Sequence, residues 1–318
     1  MDQIVSYCTL DKLSDAAKRL KAGGIVAFPT ETVYGLGVDA ENSSAVARMY
    51  EVKGRPANHP VIVHIADQNE VAYWAEEIPD YAILLMRKFW PGPMTLILKR
   101  SAKARDFITG NQDFVGVRIP SNAIALNLLT EFAKIGGHGV AAPSANRFGS
   151  VSPTSAEDVR DEVGSLLRET DLILDGGRCE VGVESTIIDC SKTLPRILRL
   201  GAITEAMIRE VTPVDSDSDL EEIRVSGSLT RHYSPRARVV VGKTANLGEG
   251  FIAFSDIATP EGAIRLASPK SIEDYGRELY SALRNGDSQG IRVIAVIPPE
   301  GEGLAAAIRD RIMRASAE

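Results

Sequence analysis

Cysteine is scarce in this chain, with 3 among 318 residues. Cys8, Cys179 and Cys190 lie far apart and form no CxxC pair, which excludes a disulfide framework and a zinc knuckle and fits a reducing cytoplasm. Long apolar runs are missing as well. No stretch approaches the ~20 apolar residues that a bilayer span requires. The opening MDQIVSYCTL lacks a basic region followed by an apolar one, so neither export nor a membrane span is expected. There is no basic excess: 36 Lys and Arg against 43 Asp and Glu leave a net charge of -7, which argues against coating nucleic acid through a general basic surface. Aromatics make up 6%, with 2 tryptophans, and offer few platforms for stacked bases. Any phosphate site must therefore be built locally.

What is present reads as a mixed α/β protein. Hydrophobic residues at 44% and charged residues at 25% are ordinary for a globular chain, and the length favours two domains over one core. Leu13, Ala16, Ala17 and Leu20 fall at helical spacing before Gly23 and Gly24, predicting a helix over 14–22. Asn42 or Ser43 caps a helix running to about Val52, and an apolar helix over 81–90 stops at Pro91, Gly92 and Pro93. Further helices are expected over 123–134 and after Thr154, with Glu157 three residues on as a capping box. Strands are expected at 25–28, 61–65, 94–98, 114–119, 139–142, 172–175, 185–189 and 196–200, and together they imply a mixed sheet with helices.

From Val211 to Arg224 the chain carries five acids against one base and little apolar periodicity. A linker is expected over 211–236. It would divide a body at 1–210 from a small unit at 237–318, whose strands at 237–242, 251–254 and 293–297 and helices at 272–283 and 304–313 suggest a parallel, Rossmann-like pattern.

Two nucleotide signatures fail on inspection. VGKT at 241–244 has Ala237 where a P-loop needs glycine, and Gly35, Gly37 and Ala40 imitate a dinucleotide fingerprint whose next strand, VIVHI, lacks the ribose-binding acid. A different pattern stands out. PTETVYGLG (29–37) follows an apolar strand, which places hydroxyls and bare amides at the carboxyl rim of a sheet. KGRPANHP (53–60) adds Lys53, Arg55, Asn58 and His59 with no nearby acid, a set suited to triphosphate. Lys53 and Arg55 also suit the C-terminus of a helix as dipole partners. His64 fits a hydrogen-bonded core histidine, and Ser144 and Asn146 fit either phosphate donors or turn formers. Arg118 and Arg199 each interrupt an apolar strand, and a buried guanidinium needs an anionic partner or a ligand. Ser185 opens another strand. Five strands with polar residues at their ends point to one convergent site.

PTETVYGLG, KGRPANHPVIVHI, VRIP, APSANRFGSVSPT and GVEST, in this order, closely resemble the YrdC-type domain of threonylcarbamoyl-AMP synthases. PRILRLGAIT, SGSLTRHYSP and the small final unit resemble the two-domain form. The resemblance implies a YrdC-like twisted open mixed sheet with helices, enclosing a concave cavity, plus a smaller Rossmann-like α/β domain. It implies union of L-threonine, bicarbonate and ATP into threonylcarbamoyl-adenylate with loss of pyrophosphate. The threonylcarbamoyl group is then placed by downstream transfer machinery on tRNAs reading ANN codons. By motif position, Thr32, His64, Arg118 and Ser185 would meet threonine or its carbamate. Arg55, His59, Ser144, Ser152 and Arg199 would meet ATP with Lys53 and Asn146 close by, and Tyr233, beside His232 in a lid, would meet the nucleotide. Lys53 and Arg55 would serve catalysis, with Mg2+ carried by ATP. The chain departs from the family at Phe114, where Ser or Thr is usual, at Leu200, where proline is usual, and before RHY, where a basic-aromatic pair is missing. A non-enzymatic RNA-binding module and an adenylating enzyme for another amino acid, serine nearest, are the rival readings.

Overall fold

The computed structural model describes residues 5–7, 10–215, 223–227 and 231–317. Cys8 and two parts of the expected linker, 216–222 and 228–230, lie outside the described residues. The described strands of the body are β1 (Val5–Tyr7), β2 (Val26–Phe28), β3 (Gly35–Asp39), β4 (Ile62–His64), β5 (Met94–Lys99), β6 (Phe114–Arg118), β7 (Val140–Ala141), β8 (Leu172–Asp175), β9 (Thr186–Asp189) and β10 (Arg196–Arg199). They form one mixed sheet in the order β1-β8-β2-β3-β7-β4-β6-β5-β9-β10. Helices pack on it because their apolar stripes need cover. The helix Ala123–Lys134 buries Ala125, Leu128, Leu129 and Phe132 and is capped by Asn122, whose side chain accepts from the amides of Ile124 and Ala125.

Strand direction corrects one expectation. β2 pairs antiparallel with β3, β3 with β7, and β7 with β4, so β2 and β4 run in opposite senses. The carboxyl end of β2 and the amino end of β4 share one edge, which joins the PTET and KGRP strings. His64 and Arg118 are register partners at the other edge. A ligand touching both groups must lie across a face of the sheet instead of beyond a single rim. Ile62 and His64, two residues apart on β4, point to that one face.

The 29–37 string is not a loop throughout. Gly35–Asp39 is β3, buried along its whole length. Gly37 has a packing reason there: a Cβ on it would stand 2.7 Å from both Phe28 Cε1 and Val140 Cγ1. The capping box expected at Thr154 and Glu157 is shifted by one residue. Ser155 caps Ala156–Val163, its Oγ accepting from the Asp158 amide while Asp158 accepts from the Ser155 amide.

The second sheet is parallel, in the order β11-β14-β12-β13, with β11 Arg238–Val241, β12 Gly250–Ile252, β13 Ile264–Ala267 and β14 Val293–Val296. β13 has no counterpart among the expected strands, since its short pattern IRLA is broken by Arg265 and only Ala267 is buried. Helices Ile272–Ser288 and Leu304–Ser316 cover this sheet. They also meet the body. Val33, Val151 and Val183 share an apolar cluster with Tyr275, Leu279, Tyr280 and Ile308, and Arg284 pairs with Glu162 at 3.1 Å. Gly182, at φ 77°, lets the backbones touch, because a Cβ there would fall 2.4 Å from the Gly276 carbonyl oxygen.

Candidate active site

An open cavity of about 640 Å³ lies on that face of the main sheet. Its wall includes Thr32, Lys53, Arg55, His64, Arg118, Ser144, Asn146, Ser185, Arg199 and Tyr233. These residues come from the turn before β3, the end of the helix Ser43–Lys53, the ends of β4, β6 and β10, the entry to β9, the loop after β7 and the segment before β11. The 43–53 helix stops at Gly54, which adopts φ 62°, and the Arg55 amide still reaches the Tyr50 carbonyl. That left-handed stop turns the chain so that Lys53 and Arg55 point inward instead of complementing the helix end.

Lys53 is 2% exposed, and its Nζ donates to the carbonyls of Ser144 at 2.6 Å and Asn146 at 2.5 Å. Arg55 Nη2 donates to the Pro60 carbonyl at 2.7 Å and to Ser226 Oγ at 3.1 Å. Arg199 donates through Nε to the Ser185 carbonyl and through Nη2 to Ser185 Oγ, both at 3.0 Å, and through Nη1 to the Ser226 carbonyl at 2.8 Å. Among the described residues none of these three cations stands within ion-pair distance of a carboxylate. Burial, with Arg55 nearby, holds the Lys53 ammonium well below the ordinary lysine range, and burial brings Arg55 down to about 10, with Arg199 adding to the drop. An anion in the cavity would relieve that cost, since opposite charge favours the charged form.

Arg118 differs from this set. Its Nη2 donates to Glu31 Oε1 at 2.6 Å, Nη1 to Thr32 Oγ1 at 3.0 Å and Nε to the Gly92 carbonyl at 3.3 Å. The anionic partner it requires is supplied by the protein itself, so its place in a strand is no evidence for a substrate carboxylate. A guanidinium carries five N–H groups, and Arg118 remains on the cavity wall with donors beyond these three contacts.

The Asn146 amide is committed to its own loop, donating to the carbonyls of Arg147 at 2.7 Å and Ser150 at 2.8 Å. Ser144 Oγ donates to Asn146 Oδ1 at 2.5 Å. The turn-forming alternative therefore describes both residues as they stand, with Lys53 tying the loop down. Two further candidates are not on the wall. Ser152 is fully buried and donates to Glu184 Oε1 at 2.6 Å, while His59 is half-buried behind Phe148, with ring centroids 5.4 Å apart.

The cavity also exposes polar atoms that lack partners. His64 Nδ1, His232 Nδ1, Tyr233 Oη and Arg55 Nε are buried with no hydrogen bond, an arrangement that native interiors avoid unless a ligand or water completes it. Burial, with Arg118 adjacent, lowers His64 to about 3, and burial lowers His232 to about 3; both imidazoles are neutral at pH 7.

Sequence reasoning missed Glu31, Phe148, Ser226 and the role of Glu184, the single carboxylate on the described wall. Burial would raise Glu184, but Arg311 and Arg199, with the Ser152 hydroxyl, outweigh it and hold the carboxyl down at about 2. A signal for it existed: an acid set between buried Val183 and Ser185 in GVEST. Phe114 packs with Ile97 and Ile187 against Ile223 and Val225, in the stretch expected to be a linker. Arg224 between them donates to the carbonyls of Asn58 at 2.9 Å and Gly110 at 2.7 Å.

Among the described residues no helix is long and apolar enough to cross a membrane. A family model described as "Telomere recombination", of the Sua5, YciO and YrdC proteins, matches residues 18–201, and one described as "Threonylcarbamoyl-AMP synthase, C-terminal domain" matches 203–317. The chain is 38% identical to the threonylcarbamoyl-AMP synthase of Pyrococcus abyssi over 96% of this chain and 94% of that protein. It is 36% identical to that of Bacillus subtilis over 96% and 93%. The solved structure of P. abyssi Sua5 complexed with L-threonine superposes with a TM-score of 0.87 at 34% identity, covering 98% of this chain and 96% of that one. With a YrdC-type body, the C-terminal domain particular to these synthases and near full-length likeness to them, the chain belongs to the two-domain threonylcarbamoyl-AMP synthases, enzymes of nucleotidyltransferase type.

Proposed function

We infer that this chain joins L-threonine, bicarbonate and ATP into threonylcarbamoyl-adenylate, releasing pyrophosphate, as the first step of threonylcarbamoyladenosine formation in tRNAs reading ANN codons. The observation that carries the reading is the trio Lys53, Arg55 and Arg199, buried in one cavity with none of them, among the described residues, within ion-pair distance of a carboxylate. Three desolvated cations are costly in isolation, and a triphosphate offsets that cost with charge-assisted hydrogen bonds. Likeness to a protein whose solved structure holds L-threonine supports the amino-acid half. Thr32, His64, Arg118 and Ser185 line the same cavity and supply its donors.

Bicarbonate and the threonine amine condense to a carbamate with loss of water. A carbamate oxygen attacks the α-phosphorus of ATP in line, the bond to the bridging oxygen of the β-phosphate breaks, and pyrophosphate departs. Negative charge grows on the phosphoryl oxygens and the leaving group. Lys53, Arg55 and Arg199 meet it as preorganised donors, each of which typically contributes roughly 3 to 4 kcal/mol. No protein nucleophile is required. Neutral His64 places an uncharged imidazole beside the carbamate, which avoids protonating the amine it came from. The carbamate decomposes in water, so the linker over 211–236 is assigned as a cover for it.

Among the described residues no three His, Cys, Asp or Glu side chains are grouped to hold a metal ion, and Glu184 is engaged by Ser152, Tyr280 and Arg311. Mg2+ in this reading arrives with ATP as the counter-ion of its phosphates. The adenylate is a reactive mixed anhydride and passes to separate transfer machinery, so tRNA is an indirect partner. The test is pyrophosphate release measured with threonine, with serine and with no amino acid, each with and without bicarbonate. Release that needs both threonine and bicarbonate supports the assignment. Serine working equally well moves the substrate, and salt-sensitive tRNA retention without turnover replaces the enzyme by an RNA-binding module.

A further inference from the structure

Two side chains of the C-terminal domain reach the back of the cavity wall without lining it. Arg311, on the helix Leu304–Ser316, is 0% exposed. Its Nε donates to Glu184 Oε2 at 3.0 Å, its Nη2 to the Leu200 carbonyl at 2.8 Å and its Nη1 to Asp310 Oδ2 at 2.8 Å. Its guanidinium also sits 5.5 Å from the centroid of the Tyr233 ring, within cation-π range. Tyr280, on the helix Ile272–Ser288, donates its hydroxyl to the same Glu184 oxygen at 2.9 Å. Its ring stacks on Tyr233 with centroids 5.6 Å apart and planes inclined by 25°.

Tyr233 needs such support. Its φ of 60° is left-handed, a conformation that costs a bulky residue on the order of 1–3 kcal/mol and persists only where the surroundings enforce it. Its hydroxyl is buried without a partner and stands close to the linker, since a Cβ on Gly227 would fall 2.4 Å from it. The Leu200 carbonyl that Arg311 grips follows Arg199 directly in the chain. Interface stability alone would need the Glu184 and Leu200 contacts. The stack and the cation-π contact on Tyr233 add a directional hold on one cavity residue.

We propose that Arg311 and Tyr280 are positioning residues of the nucleotide site, holding Tyr233 and, through Leu200, Arg199 in the geometry that receives ATP. The C-terminal domain is then a component of the active site although neither residue touches substrate. The proposal rests on the reading of this cavity as an ATP site.

Calorimetric binding of ATP and of L-threonine to the full-length chain separates the two. Arg311→Met and Tyr280→Leu weaken ATP binding by about tenfold and leave threonine within about twofold. Tyr280→Phe, which keeps the ring, restores most of the ATP affinity. In a Tyr233→Ala background, Tyr280→Leu weakens ATP by less than about twofold further, because the residue it acts through is gone, and Arg311→Met keeps only the smaller part of its effect that runs through Leu200 to Arg199. Equal losses for both ligands, the same loss in both backgrounds, or unchanged ATP affinity each overturn the proposal. If Arg311→Met does not fold, the Tyr280 pair decides alone. A wild-type chain that binds no ATP removes the reading of the cavity together with the proposal, whereas wild-type binding with indifferent variants removes the proposal only.

Discussion

Arg118 Nη2 and Glu31 Oε1 stand 2.6 Å apart, with both side chains about 95% buried. The pair fixes how Arg118 should be tested. Arg118→Ala strands the Glu31 carboxylate in the interior, a change worth about 3–5 kcal/mol of stability, so lost activity would be confounded with unfolding. Replacing both partners, as in Glu31→Gln with Arg118→Met, removes the buried charges together and is commonly near neutral. The double variant is therefore expected to unfold close to the wild-type midpoint. The threonine needed for half-maximal pyrophosphate release should still rise at least about tenfold, the cost of one charged hydrogen bond. Normal threonine use in a stable double variant would assign Arg118 to the scaffold.

Arg55 has no such carboxylate partner among the described residues, and its loss should read out on the other substrate. Arg55→Ala is expected to lower kcat/KM for ATP by about a hundredfold, the lower end of the effect of removing one charge-stabilising donor, and to change the KM for threonine much less. Steady-state kinetics with each substrate varied in turn checks this. Equal increases in KM for both substrates would dissolve the division between an ATP side and a threonine side.

The sequence carried local features well and long-range ones poorly. The helix 123–134 falls where it was expected because its apolar spacing is a local signal, while its cap, Asn122, becomes visible only in the structure. The relative direction of β2 and β4 is not legible locally, since it follows from pairings through β3 and β7. Most of the cavity wall was readable because charges and hydroxyls at strand ends are out of place in a core. What each does there was less readable. Glu31 and Arg118 are 87 positions apart, and nothing in either motif announces their pairing. Asn146 reads as a donor, yet its amide is used by its own loop. Thr154 and Ser155 are both competent caps, and only the backbone geometry selects Ser155.

Acid should weaken the fold by a route visible in the two buried imidazoles. His64 and His232 have folded values of about 3 against an ordinary 6.5. Both are lowered, so the unfolded chain takes up protons that the folded chain refuses. Stability is unaffected above about pH 6.5 and declines as pH falls toward 3, by up to about 1.4 kcal/mol per pH unit for each histidine. Glu184, depressed from 4.5 to about 2, contributes stability that is present above 4.5 and lost as pH falls toward 2. Denaturant unfolding of wild type and His232→Asn between pH 6 and pH 5 should differ in slope by one proton. Superimposable slopes would mean that His232 is protonated in the native state.

The segment 223–227 is docked through Phe114, where the resemblance leads Ser or Thr to be expected. Phe114 is half-buried with Ile97 and Ile187 against Ile223 and Val225, and Gln112 clasps the intervening residue, accepting from the Arg224 amide at 2.8 Å and donating to its carbonyl at 3.0 Å. One residue beyond, Ser226 meets Arg55 and Arg199, so the apolar dock sets where the linker touches the cations. Phe114→Thr removes roughly 1–2 kcal/mol of apolar burial from the dock without changing any residue of the cavity wall. The undocked fraction should then rise about fivefold to thirtyfold. Water would reach the carbamate and decompose it before it attacks ATP, so threonine- and bicarbonate-dependent release of pyrophosphate should fall below the wild-type rate, with adenylate falling in step. Chromatographic measurement of both products in one reaction checks this. Unchanged rates of both products in Phe114→Thr would show that closure over the site does not depend on the apolar contact.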